Sequence, residues 1–143
     1  MADTSLGRPI VEVAVGVLLK KDDAVLLGQR PEGKPYAGYW EFPGGKIEAG
    51  ESLFEALQRE LTEEINIRIL DAKEFLTIEH DYPHAYVRLH VCLIRNWEGE
   101  LRGLENQAIA WLPLTDIPHI EASELQPILP ATLPILKKLQ SIL

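Results

Sequence analysis

This 143-residue chain predicts a mixed α and β fold, with strands interleaved between two helices. Three observations carry that prediction. Short β-branched, apolar runs recur along the chain, among them VEVAVGVLLK, AVLLGQR and AYVRLHVCLIR. A glutamate-rich stretch in the middle places its apolar residues at helical spacing. A second stretch of that kind lies at the end, with Leu136, Leu139 and Ile142 in helical register. No internal repeat, low-complexity tract or linker-like segment interrupts the pattern, so one domain over residues 1–143 is expected.

In chain order, Val11–Lys20 and Ala24–Arg30 are strands separated by the turn-like KDD. The run KPYAGYWEFPGG (Lys34–Gly45), punctuated by Pro and Gly, predicts a loop with a short extended piece at Tyr39–Phe42. The glutamate helix follows, and EFLTIEH and AYVRLHVCLIR are strands. In the latter, Val87, Leu89, Val91 and Leu93 alternate onto one face. WEGE (Trp97–Glu100) predicts a turn, AIAWLPL (Ala108–Leu114) a further strand, and the last helix runs from about Leu133.

The glutamate helix raises a physical question. Ser52 and Glu55 form an S-x-x-E capping box at its start, and Leu53, Ala56, Leu57 and Leu61 define its buried side. On a wheel of about 100° per residue, Glu60 and Glu64 lie about 40° apart in the sector of Leu53 and Ala56, with Glu63 at that sector's outer edge. Carboxylates there repel one another, face the negative end of the helix and suffer desolvation. A solvated acidic face is the ordinary explanation for a charge run, but the wheel points these acids inward and only Lys46 and Arg59 are basic within the segment. Oxygen ligands at i, i+3 and i+4 on one face suit Mg²⁺ or Mn²⁺.

Composition narrows the partners. A net charge of −8 lacks the basic footprint of a nucleic-acid-polymer binder, though it admits a small anion accompanied by metal. No apolar run approaches the roughly 18 residues of a membrane helix, and MADTSLGRPI has no charged-then-apolar signal pattern. One cysteine, Cys92, forms no internal disulfide, so a reduced, cytoplasmic setting is expected. Oligomeric state has no signature in the chain.

The stretch from Gly45 resembles the Nudix box, G-x5-E-x7-R-E-U-x-E-E-x-G-U, where U is a bulky apolar residue. Gly45, Glu51, Arg59, Glu60, Leu61, Glu63, Glu64 and Ile67 are in register. From average composition such a match arises by chance with a probability of about 10⁻⁸ to 10⁻⁹, so coincidence is not the explanation. One position departs, Asn66 standing for the box's second glycine, and Asn is the usual substitute where a left-handed residue ends a helix. AVGVLL, LLGQRP, WEFPGGKIEAGES and WEGE…GLENQ extend the likeness to the MutT-type branch of nucleoside triphosphate pyrophosphohydrolases, fading through Thr115–Gln126. The resemblance implies an α+β fold of α/β/α sandwich type, a curved mixed β-sheet flanked by helices.

It also implies roles. Glu60, Glu63 and Glu64 would hold metal, joined by the Gly44 carbonyl; Glu51 and Arg59 would form a salt bridge fixing the loop on the helix. Glu105, in the loop GLENQ, is a candidate metal ligand or general base, with Glu60 the other candidate base and Glu63 also a candidate catalytic residue. Arg30 is a candidate phosphate clamp, or a plain strand-end arginine, and Lys46, directly after Gly45 in the box, is a further candidate substrate contact. The implied reaction is Mg²⁺-dependent cleavage of a nucleoside triphosphate, oxidised or modified bases included, to monophosphate and pyrophosphate, with Mn²⁺ as substitute. Base preference is less determined. MutT-type enzymes that select 8-oxo-dGTP carry an asparagine opening the last helix, where this chain has Thr132, whose single hydroxyl cannot match a planar amide. Thr132 also suits an N-cap, and Tyr82 is a candidate stacking partner for a base or a packing residue. Relatives acting on cytosine nucleotides vary at that position. The alternatives are therefore a cytidine-type triphosphate pyrophosphatase of the same branch, or a non-hydrolytic nucleotide sensor, which would be expected to lose a helix glutamate. GGKIE is no P-loop, and H-E-x-x-H, C-x-x-C and G-x-S-x-G are missing.

Overall fold

The computed structural model describes residues 4–5, 7–21 and 23–142. Its elements are β1 (Thr4–Ser5), β2 (Arg8–Lys20), β3 (Ala24–Gln29), β4 (Trp40–Glu41), β5 (Gly44–Lys46), α1 (Leu53–Ile65), β6 (Arg68–Ile69), β7 (Lys73–Asp81), β8 (Tyr86–Ile94), β9 (Trp97–Glu98), β10 (Ile109–Pro113), a 3₁₀ segment (Leu114–Ala122) and α2 (Thr132–Ile142). The main sheet runs β10-β3-β2-β8-β7, parallel between β2 and β8 and antiparallel elsewhere, which makes it mixed.

β2 is the spine, and its alternation builds two layers. Val15, Val17 and Leu19 pack with Ile135, Leu136 and Leu139 of α2, while Ala14 and Leu18 pack with Ala56, Leu57, Leu61 and Ile65 of α1. A strand covered on both faces has to be apolar throughout, which is why VEVAVGVLLK lacks a polar face. On β8, Val91 and Leu93 face the α2 layer and Cys92 and Ile94 the α1 layer. Gly16 lets α1 approach closely, since a Cβ there would stand 3.0 Å from Leu61 and 3.1 Å from Ile94. Each fully buried leucine of these layers contributes about 1.5–3 kcal/mol.

The edge of β2 positions the site. Its end pairs with β3 at Leu19 and Lys20, whereas Val13–Val15 pair with β5. β3 diverges in between and takes β4 as partner, so residues 41–46 cross from one strand to the other. The paired glycines expected in a loop are thus strand residues.

WEGE likewise contains β9, paired with β6, and not a bare turn. α2 begins at Thr132, which is buried, and its last turn leaves Ile142 exposed although it lies on the predicted apolar stripe. Asp22 of the predicted KDD turn, and Leu143, lie outside the described residues.

Candidate active site

α1 is fixed at both ends. The Ser52 hydroxyl accepts from the Glu55 N–H and the Glu55 carboxylate accepts from the Ser52 N–H, completing the capping box. At the other end Asn66 is left-handed (φ 67°, ψ 36°), as the helix terminus requires. Its side-chain N–H also donates to Glu100 O at 2.8 Å, a tie that glycine could not make. The acids fall as the wheel predicts: the Glu60 side chain is 17% exposed and Glu63 55%, with Glu64 between buried and exposed.

The paired glycines lie against this end of the helix. Gly16 N–H donates to Pro43 O and Ile47 N–H to Glu12 O, a register that turns the N–H and C=O of Gly44 away from β2. The Gly44 peptide lies beside the Glu64 carboxylate, and its N–H favours the ionised form. Gly44 has φ 155° and a Cβ there would strike the Ala14 carbonyl; a Cβ on Gly45 would strike the Glu60 carboxylate. A side chain on Gly45 would close its approach to the acid, and one on Gly44 would push β5 off β2.

Arg59 forms the expected salt bridge. Its Nε and Nη2 donate to Glu51 at 2.7 and 2.9 Å, and Nη2 donates to Lys46 O at 3.0 Å, which pins the loop to the helix. The Arg59 hydrogen bonds, with help from the Glu48 N–H, hold the Glu51 carboxyl down at about 2. Nη1 also reaches Glu60 at 3.1 Å. Glu64 has no ion pair among the described residues.

Glu105 arrives by a route the sequence did not reveal. The last carbonyls of a helix lack intrahelical partners. Here Leu104 N–H donates to Glu64 O and Arg102 N–H to Ile65 O, and Gln107 Nε2 adds a second donor to Glu64 O. Gln107 Oε1 accepts the Glu105 N–H at 2.8 Å. The loop therefore caps α1, and Glu105 is carried onto the helix glutamates.

A cavity of about 460 Å³ gathers Glu41, Gly44, Gly45, Lys46, Arg59, Glu60, Glu64, Glu105, Gln107 and Arg30 along its wall. Burial, then Glu60, Glu105 and Glu41, push the Glu64 carboxyl up to about 9. Burial likewise raises Glu60, opposed by Arg59 and reinforced by Glu63 and Glu105. Among the described residues no three acidic, His or Cys side chains are gathered closely enough to hold an ion as they stand. The donor chemistry nonetheless fits a hard divalent cation: Glu60, Glu64 and Glu105 are oxygen donors, Glu64 has no cationic partner, and the peptide of Gly44 faces it.

Glu63 is outside the cavity wall, with Arg59 Nη1 4.0 Å away. Tyr82 and Thr132 are outside it too. Tyr82 is 4% exposed, its hydroxyl accepts the Ala131 N–H, and its ring lies among His80, His84 and Tyr36. Thr132 is 3% exposed as the first residue of α2. Sequence reasoning missed Glu41 and Gln107. Glu41 had one usable signal: Trp40 beside it is a core residue, so alternation turns Glu41 to the opposite side.

Residues 11–132 match the NUDIX domain family. The chain belongs to that family. This NUDIX chain is 37% identical over 107 residues to an 8-oxo-dGTP diphosphatase of Haemophilus influenzae, covering 75% of this chain and 79% of the relative. It is 32% identical over 133 residues to the CTP pyrophosphohydrolase of Escherichia coli, covering 93% of each. The crystal structure of a MutT NUDIX hydrolase from Burkholderia pseudomallei aligns with a TM-score of 0.79 at 27% identity, over 92% of this chain and 98% of that one. The mixed sheet with flanking helices is the NUDIX fold.

Proposed function

We propose that this NUDIX hydrolase cleaves a nucleoside triphosphate to monophosphate and pyrophosphate with Mg²⁺, for which Mn²⁺ substitutes, and so clears oxidised or otherwise modified nucleotides from the cytoplasmic pool. The observation that carries the reading is Glu64, a largely desolvated carboxyl without a cationic partner, facing Glu60 and Glu105 beside the Gly44 peptide.

In this reading Glu60, Glu64, Glu105 and the Gly44 carbonyl hold the cation, and Glu63 stands at its solvent edge. A cation held there would supply positive charge against polyphosphate oxygens and acidity to the attacking water. Glu105 or Glu60 accepts the water's proton, each being a carboxylate on the cavity wall. Arg30 and Lys46, on the same wall, bind phosphate oxygens. The small-molecule nucleotide is the partner; the acidic surface does not suit a nucleic-acid polymer, and no described helix is long and apolar enough to cross a membrane.

A second reading of the base has its own support. Thr132 stands where selection of 8-oxoguanine would use an asparagine amide, and a CTP pyrophosphohydrolase is similar along 93% of the chain. A hydrolysis panel with Mg²⁺ separates the two, using 8-oxo-dGTP, dGTP, CTP, dCTP and a dinucleotide polyphosphate, with pyrophosphate and phosphate resolved. Pyrophosphate release is expected. Nucleotide binding without turnover would make the chain a sensor and overturn the proposal.

A further inference from the structure

We infer that Glu41 is a positioning residue that holds the Arg30 guanidinium as a preset phosphate donor in the cavity. Arg30 Nε donates to Pro35 O at 2.7 Å, and Nη1 donates to both Glu41 oxygens, at 3.1 and 3.0 Å. Nη2 has no hydrogen-bond partner among the described residues, so one edge of the fork is braced and the other is free. The Arg30 side chain is only 18% exposed, and both residues line the cavity that holds Glu60, Glu64 and Glu105.

The platform beneath the pair is fixed from two sides. Arg30 N–H donates to Tyr39 O and Gly38 N–H to Arg30 O, closing the loop between them. On the far edge of β4, Trp40 N–H donates to Pro127 O and Leu129 N–H to Trp40 O. A free arginine side chain loses rotamer entropy when a ligand immobilises it. Here Glu41 and Pro35 impose that order before any ligand arrives. The pair is close to neutral, so it offers directed hydrogen bonds more than attractive charge. A lysine at position 30 would keep the charge and lose the fork.

This inference rests on the proposed function for its ligand class, and two readouts keep the two separable. One is steady-state hydrolysis of a nucleoside triphosphate. The other is calorimetric binding of an analogue with a methylene bridge between the α- and β-phosphates, which needs no turnover. Glu41→Gln and Arg30→Lys are each expected to raise KM, and the Kd of the analogue, by about tenfold, with the effect on KM and not on kcat. The double variant is expected to match either single one, because both break the same brace. Mn²⁺ binding without nucleotide is expected to be retained in Glu41→Gln, although one carboxylate near Glu64 has lost its charge.

A lower KM in Glu41→Gln would show that the acid merely competes for Arg30. Loss of Mn²⁺ binding would make it a metal ligand instead, and additive losses would uncouple the two residues. Any of these overturns the inference, as does wild-type affinity in Arg30→Lys, which decides the matter should Glu41→Gln not fold. A wild-type protein that binds the analogue and cleaves nothing refutes the proposed function, while the Kd comparison still tests the brace.

Discussion

At Glu64 burial and three neighbouring carboxylates act in one direction, and the residue has no basic partner to oppose them. Its carboxyl titrates at about 9 in the folded chain against an ordinary value of 4.5. The folded state therefore keeps a proton that the unfolded chain has released. That contribution to stability is complete below pH 4.5 and is lost as pH rises through 9. Urea unfolding in EDTA between pH 7 and pH 9 should accordingly show stability falling with pH, by up to about 1.4 kcal/mol per unit from this group. Glu64→Gln should flatten the slope, and an unchanged slope in that variant would place the titration elsewhere. In the presence of Mg²⁺ the same carboxylate is expected to bind cation. Glu60→Gln and Glu64→Gln should each lower kcat by at least about a hundredfold with the folded circular dichroism spectrum retained. Near wild-type turnover in either would remove it from the cation site.

α1 is a helix whose C-terminal carbonyls are satisfied by the loop that brings Glu105, so capping and assembly of the site are one event. Gln107 bonds both the helix end and the Glu105 amide. Gln107→Ala should lower kcat about tenfold through misplacement of Glu105, while the thermal midpoint moves by only a few degrees. A wild-type kcat would show that the backbone bonds of Arg102 and Leu104 suffice. Asn66 works at the same joint. Asn66→Ala loses both the tolerance for a left-handed conformation and the bond to Glu100 O, and should cost about 1–3 kcal/mol of unfolding free energy in urea titration. Asn66 is thus more than a stand-in for glycine, because its side chain bonds the β9 loop.

For the molecule as a whole, what could be seen in the sequence was what repeats with a local period. The capping box and the inward sector of Glu60 and Glu64 both follow from spacing along one element. What escaped was pairing between distant segments. Gly44–Lys46 has no strand-like composition, and β5 exists because β2 offers Val13–Val15 an open edge where β3 has left it. Glu41 gained its role from Arg30 across two strands, and Gln107 from orphan carbonyls 43 residues earlier. Tyr82 was ambiguous for the same reason, its packing being decided by Ala131 and the histidines around it. The central claim is that these separate segments converge to bind a divalent cation. A crystal grown with Mn²⁺, read by its anomalous signal, tests it most directly. The account predicts a peak bonded to Glu60, Glu64 and the Gly44 carbonyl, with Glu105 drawn toward it; no peak there, with Arg59 left as the sole counter-charge to the cluster, would contradict it.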